Sequence, residues 1–179
     1  MTLSLAQTKP IVAALRQTAL FAHVPLRALT SLAEQATELQ FKQGDSVYEA
    51  GVIADAFYVV RSGRLQDYGS DAQGKPTLRR QLRAGDTFGE TAVVLGQETR
   101  SRVLVGEATT LARIGAPELH AALAKSTAFR RALYSAAHPE LEAIHAAATA
   151  HDDHNVDLVA LHAPLGWPLE KLAAALGED

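Results

Sequence analysis

The chain has 179 residues, of which 47% are hydrophobic and 21% are charged, enough for one core of ordinary size. Its formal net charge of −3 gives no overall attraction to nucleic acid or to an anionic membrane. Because the sequence contains no cysteine, a disulfide framework, a thiolate metal site and a cysteine nucleophile are excluded.

Residues 1–37 are predicted to form N-terminal helices. Apolar residues recur at helical spacing from Thr8 to about Ala36, and Pro25 stands where a first helical turn tolerates proline. We expect two helices with a break near His23. No basic region precedes the apolar stretch, and no run of 18 uncharged apolar residues occurs, so we expect a cytoplasmic protein without a membrane span.

From residue 38 to residue 115 the pattern becomes that of β-structure. Short runs such as FYVV and TTLARI alternate with turns marked by glycine. These glycines are Gly44, Gly51, Gly63, Gly69, Gly74, Gly85 and Gly96. Strands this short and turns this frequent indicate a sandwich, a roll or a barrel.

Residues 116–150 are again predicted to be helical. Pro117 opens a helix that continues through Leu123, and Thr127 is the expected cap of another helix running towards Ala137. Pro139 then predicts a kink or a new helix.

The most informative stretch is residues 85–105, GDTFGETAVVLGQETRSRVLV. Gly89 permits a left-handed conformation before a short helix over residues 90–95. The free N–H groups and dipole of such a helix form a local anion site. Arg100, expected at the start of a strand, can hold phosphate oxygens in a bidentate way.

This stretch resembles the phosphate-binding cassette of the cyclic-nucleotide-binding domain family, whose members include the catabolite activator regulators and the regulatory subunits of cAMP-dependent kinase. The resemblance covers roughly residues 20–135. It implies an α+β, mainly β fold: an eight-stranded antiparallel β-roll, of the jelly-roll type, flanked by N-terminal and C-terminal helices. It also implies a cyclic nucleotide, cAMP by default, bound between the roll and a C-terminal helix, without further cofactor.

In that resemblance Arg100 pairs with the cyclic phosphate and Glu90 accepts the ribose 2′-OH. The ligand-binding residues that it implies are Gly89, Glu90, Thr91, Ala92, Arg100, Ser101 and Arg102. The base contacts would fall near Ile144 and His145 on the C-terminal helix. Two purely structural alternatives remain open at this stage. Arg100 would pair with Glu90 or Glu98, and Glu90 would serve only as a carboxylate favoured by the helix dipole.

The chain departs from the family pattern at three positions. Thr91 replaces the usual leucine, and Thr99 stands where many members have proline. Arg102 is the most serious departure, because alternation on a strand would place it on the same face as Arg100. It would then supply a second cation, crowd the pocket, or favour a larger ligand such as a cyclic dinucleotide.

Other functions are less well supported by the sequence. Five histidines lie between residues 138 and 162, but the spacing of His151 and His154 matches no metalloenzyme signature, so no metal site is predicted. No pairing of a nucleophile with a base stands out, and we expect a binding module, not an enzyme. Residues 139–179 hold one basic residue against eight acidic ones, so direct DNA binding is not expected.

The sequence therefore predicts a sensor module whose C-terminal helices move on ligand binding and bias a homodimer or a protein partner. The alternative is a ligand-free scaffold that acts through an acidic helical tail over residues 151–179, where Trp167 and Leu169 either anchor a partner or pack the tail onto the roll. A shortened transcription regulator is the third possibility, since PLEKLAAALGED resembles the first helix of a helix-turn-helix.

Overall fold

A computed structural model describes residues 5–133 and residue 135. Four helices and six strands are defined within this range. In chain order they are α1 (Leu5–Arg16), α2 (Leu26–Ala33), β1 (Thr37–Phe41), β2 (Ser46–Tyr48), β3 (Ala56–Ser70), β4 (Pro76–Arg83), β5 (Thr87–Phe88), α3 (Glu90–Leu95), β6 (Arg102–Gly115) and α4 (Ala116–Lys125).

The sheet is antiparallel and is organised around β3 and β6. The strand order is β1-β6-β3-β4, while β2 pairs with β6 and β5 pairs with β3. β3 and β6 run beside each other from the Ala56 and Gly115 pair to the Tyr68 and Arg102 pair. The chain therefore has the predicted mainly antiparallel β architecture with flanking helices.

The number of strands differs from the prediction, since the described residues form six strands instead of eight. The reason is that β3 and β6 are long and continuous. β6 pairs with β1 near its carboxyl end and with β2 near its amino end. β3 pairs with β5 early and with β4 late, and its register against β6 shifts three times between Val60 and Leu65. Each long strand thus takes the place of two of the predicted ones.

The buried side chains form two clusters on opposite faces of β3. Phe57 and Val59 pack towards the helices, whereas Tyr58 and Val60 face the interior of the roll. A strand that is buried on both faces is expected to be apolar at every position, which explains the continuous run FYVV. The helical cluster includes stacked rings of Phe21 and Phe57, whose centroids are 5.4 Å apart.

Two details of the N-terminal helices differ from the sequence prediction. The interruption between α1 and α2 spans residues 17–25, so it is wider than a break at His23. Pro25 lies at the N-cap of α2, directly before the first turn.

The helix that follows the sheet begins as predicted. Pro117 lies in the first turn of α4, which continues to Lys125. The next helical segment, from residue 127, is capped by Ser126 and not by Thr127, because the Ser126 hydroxyl accepts a hydrogen bond from the amide of Phe129 at 3.1 Å.

Several predictions fall outside the described residues. These concern the Pro139 kink, the base contacts near Ile144 and His145, the histidine cluster, and the acidic tail with Trp167 and Leu169. Within residues 5–133, no helix combines the length and the apolar character that a membrane crossing requires.

Phe57 is fully buried between the sheet and the helices, so Phe57→Ala is expected to lower the free energy of unfolding by about 3–5 kcal/mol. Urea denaturation measures the loss. Leu26→Ala is the control, because Leu26 is 56% exposed and its truncation is expected to cost less than about 0.5 kcal/mol. Equal losses for the two variants would contradict this description of the core.

Candidate functional site

A cavity of about 570 Å³ lies between the β3–β4 hairpin and the segment from Gly89 to Ser101. This volume is within the range of about 300–1,000 Å³ that is usual for small-molecule sites. The lining residues are Tyr48, Asp67, Arg79, Arg80, Gly89, Glu90, Thr91, Ala92, Leu95, Gln97, Glu98, Thr99, Arg100 and Ser101. Six of the seven residues predicted from the sequence are therefore brought together here, and Arg102 is the exception.

Helix α3 forms one wall of the cavity and has the predicted bounds. It follows Gly89, which is left-handed with φ of +83°, and ends before Gly96, which is also left-handed. A Cβ on Gly89 would approach the carbonyl oxygen of Ala56 to 3.3 Å, so both the backbone angle and the space favour glycine. The buried side chains of Val93 and Leu95 hold the helix against the core.

The segment before Arg100 is fixed to a neighbouring loop by Thr99. The buried Thr99 hydroxyl donates a 2.6 Å hydrogen bond to the carbonyl of Glu49, and the Thr99 amide donates to the carbonyl of Val52 at 2.8 Å. A proline here would lack that amide. These two hydrogen bonds of Thr99 therefore anchor the turn that carries Arg100.

Arg100 does not lie at the start of a strand, as the sequence had suggested. β6 begins only at Arg102, and Arg100 and Ser101 form the bend before it, because Thr99 holds the preceding residues away from the β3–β6 ladder. The alternation argument that placed Arg100 and Arg102 on one face of a strand is therefore wrong.

The two arginines have different surroundings. Arg100 is exposed, lines the cavity, and donates a long hydrogen bond of 3.4 Å to Oε1 of Gln97. The guanidinium of Arg102 instead pairs with the Glu49 carboxylate at 2.9 Å, outside the cavity lining. We therefore assign it no ligand contact.

The ion pairs within the described residues also bear on the structural alternative for Arg100. They join the arginines Arg64, Arg80, Arg102 and Arg113 to carboxylates. Among residues 5–133, Arg100 forms no ion pair with Glu98.

Two polar residues of the cavity lining are shielded from water, since Asp67 is buried and Tyr48 is half-buried. The pKa of Tyr48 is raised to about 12, chiefly by burial and next by the negative charge of Asp67, while hydrogen bonding with Ser101 opposes the shift. Asp67 is only 6% exposed, and its Oδ2 accepts a 3.0 Å hydrogen bond from Nε of Arg80. Tyr48 thus connects the cassette to the β3–β4 hairpin.

Sequence reasoning missed Tyr48, Asp67, Arg79, Arg80 and Thr99. For Asp67 a signal was present. Leu65, Asp67 and Gly69 alternate on one buried face of β3, so an acidic residue at an inward position was visible in the pattern. Within residues 5–133 there is no group of three or more carboxylates or imidazoles arranged to hold a metal ion.

Part of the chain matches a known protein family. Residues 38–126 match the family model of the cyclic nucleotide-binding domain. A cAMP-dependent protein kinase regulatory subunit of Dictyostelium discoideum is 27% identical over 121 residues, which are 68% of this chain and 37% of that protein. The chain therefore spans little more than a third of that relative.

Solved structures show the same fold at lower identity. The N-terminal domain of a transcriptional regulator from Streptomyces coelicolor superposes with a TM-score of 0.63 at 19% identity, over 80% of this chain and 99% of that one. The regulatory domain of Toxoplasma gondii protein kinase A, solved with cAMP, gives 0.61 at 22% identity, over 74% and 50%. Through residues 38–126, the chain belongs to the cyclic nucleotide-binding domain family.

Tyr48 gives this site a pH-dependent contribution to stability. The pKa of Tyr48 is about 12 in the folded protein, whereas a tyrosine in an unfolded chain ionises near 10. The unfolded state therefore releases this proton first, and stability falls as the pH rises from about 10 to about 12. The free energy of unfolding of Tyr48→Phe is expected to fall by about 2 kcal/mol less than that of the wild type over that pH interval. Urea unfolding at a series of pH values measures the difference. Parallel curves for the two proteins would contradict the assignment.

Proposed function

We propose that this cavity binds a cyclic mononucleotide and that the chain is a regulatory sensor module. The observation that carries the proposal is the convergence of Arg100, the amino end of α3 and Glu90 on a single cavity of suitable volume. cAMP is the default candidate, because it is named for both the Dictyostelium relative and the Toxoplasma domain. The proposal assigns no catalytic step to the chain.

The phosphate would be held at the mouth of the cavity by Arg100. Its guanidinium is exposed and, among the residues that the structure describes, donates one long hydrogen bond, to Gln97, so it can turn towards an anion at little cost. The amides at the start of α3 point out of the helix without an intrahelical acceptor, since its first bond runs from Val93 to Gly89. Together with Ser101 they would complete the phosphate contacts.

The ribose would lie beside Glu90. A carboxylate next to a phosphate is repelled unless a hydrogen-bond donor stands between them, and the 2′-OH of a ribose is such a donor. Glu90 is half-buried and lines the same cavity as Arg100. The proposed contact therefore accounts for an acidic residue in an anion site.

The response to ligand would pass to the C-terminal helices. α4 packs against the core through Leu119 and Leu123, and it follows directly on β6. Closure of the helices after Pro117 over the bound nucleotide would change which apolar surface is exposed and so bias a homodimer or a protein partner.

Arg100→Ala is expected to weaken binding of a cyclic nucleotide by about 10- to 100-fold, because a charge-assisted bidentate contact is lost. The measurement is calorimetric titration of the wild type with cAMP, cGMP and cyclic-di-GMP, followed by the variant with whichever ligand binds. Micromolar or tighter binding by the wild type is the expected result.

Arg102→Ala is the matched control for this titration, because it removes an arginine two positions away that pairs with Glu49. Its dissociation constant is expected to stay within about twofold of the wild type. An equal loss in both variants would mean that general positive charge, and not Arg100, drives binding. Binding of none of the three ligands would overturn the proposal and favour the scaffold alternative.

A second experiment isolates Glu90. The wild type is expected to bind the 2′-deoxy analogue of its preferred cyclic mononucleotide about tenfold more weakly than the parent compound, because the hydrogen bond from the 2′-OH to the Glu90 carboxylate is lost. Glu90→Gln is expected to bind the two compounds more nearly alike, which calorimetry measures as a double-mutant cycle. If the penalty for the missing hydroxyl is unchanged in the variant, Glu90 does not contact the ribose.

A further inference from the structure

A β-bulge brings two consecutive arginines into the cavity. In the β3–β4 ladder Asp67 is opposite Arg80 and Tyr68 is opposite Leu78, so Arg79 is an extra residue on β4. Neighbouring residues on a regular strand point to opposite faces, but a bulge redirects one of them. Both Arg79 and Arg80 consequently line the cavity.

Gly69 leaves the space that the Arg79 side chain occupies. A Cβ built on Gly69 would collide with Nε and Cζ of Arg79, so the guanidinium lies directly across the glycine. Gly69 is buried on the same face of β3 as Asp67. The Arg79 side chain therefore lies over Gly69, two residues along β3 from Asp67.

Asp67 differs from Arg79 and Arg80 because its charged group is buried. Its side chain is only 9% exposed, and Arg80 occupies one carboxylate oxygen, Oδ2. The other oxygen, Oδ1, is buried and has no hydrogen-bond donor among the described residues. A buried acceptor of this kind is costly to leave unsatisfied, so it indicates a donor supplied by a ligand.

The charges at this end of the cavity also indicate which part of a ligand lies here. A second phosphate would be attracted by Arg79 but repelled by the neighbouring carboxylate of Asp67. A group that offers N–H donors to Asp67 and acceptors to Arg79 satisfies both. If the phosphate lies at Arg100 and the ribose at Glu90, the remaining part of a cyclic nucleotide is its base.

We propose that Asp67 and Arg79 select guanine over adenine, an inference that rests on the proposed function. Guanine carries adjacent donors at N1 and N2 and adjacent acceptors at O6 and N7, the acceptor pair that arginine commonly contacts. Adenine offers one amino donor, at N6, flanked by acceptors. Asp67 therefore reads the donors of guanine, and Arg79 reads its acceptors.

The first test needs no variant. Calorimetric titration of the wild-type chain with cGMP, cyclic IMP and cAMP compares bases that offer donors at N1 and N2, at N1 alone, and at N6. We expect cGMP to bind about tenfold or more tightly than cAMP, with cyclic IMP between them. Tighter or equal binding of cAMP would overturn the inference while leaving the proposed function intact. Binding of no cyclic nucleotide would overturn both.

Asp67→Asn then tests the residue itself. The amide is uncharged and replaces one carboxylate oxygen by an N–H₂ donor, so it attracts the N–H donors of guanine less, and the ratio of cGMP to cAMP affinity is expected to fall about tenfold. Asp55→Asn is the control, because Asp55 forms a 2.8 Å ion pair with Arg113 away from the cavity lining. It is expected to keep the wild-type ratio, and thermal unfolding of both variants verifies that they fold. A ratio unchanged by Asp67→Asn would show that Asp67 does not read the base.

Discussion

The long antiparallel pairing of β3 with β6 is the interaction on which the rest of the structure depends. It runs through most of both strands, and every other strand pairs with one of the two. Since β3 is buried on both faces, the helices can pack on one side while the roll closes on the other. The same ladder positions the cavity, because β4 pairs with β3 and β6 begins directly after the segment from Gly89 to Ser101.

The site is held by buried apolar groups and backbone hydrogen bonds more than by its own polar contacts. α3 is only one and a half turns long and would not be stable alone. Its position comes from Val93, Val94 and Leu95 in the core and from the close approach of Gly89 to the backbone of β3. Arg100 is in turn presented by a bend that Thr99 ties to a separate loop. The apolar core and the backbone therefore set the position of the residues that line the cavity.

The sequence was informative wherever a local rule decided the structure. The left-handed conformation of Gly89, the bounds of α3 and the apolar run of β3 follow from backbone geometry and side-chain period, and they were predicted closely. Gly63 and Gly69, which were predicted at turns, instead lie within β3. The predictions that were wrong concerned features that depend on pairing between distant residues. The hydrogen bonds of Thr99 to residues about 50 positions away keep Arg100 out of the strand, and no local pattern shows them. The bulge at Arg79 has the same origin, because a bulge exists only relative to the partner strand.

The contribution of the Asp67–Arg80 pair to stability explains its presence poorly, so the pair is better explained by function. Removing a carboxylate from water costs several kcal/mol, and a single buried ion pair seldom returns more than an apolar pair of similar size. Here the pairing is also incomplete, since Arg80 remains half exposed and satisfies only one of the two carboxylate oxygens. An apolar pair at these positions would line the cavity without the free-energy cost of removing a charge from water. A charged pair there is understandable if that part of the cavity recognises the hydrogen-bonding edge of a ligand. In the proposed site, Asp67 and Arg79 would then select the ligand, and the segment from Gly89 to Ser101 would supply general affinity.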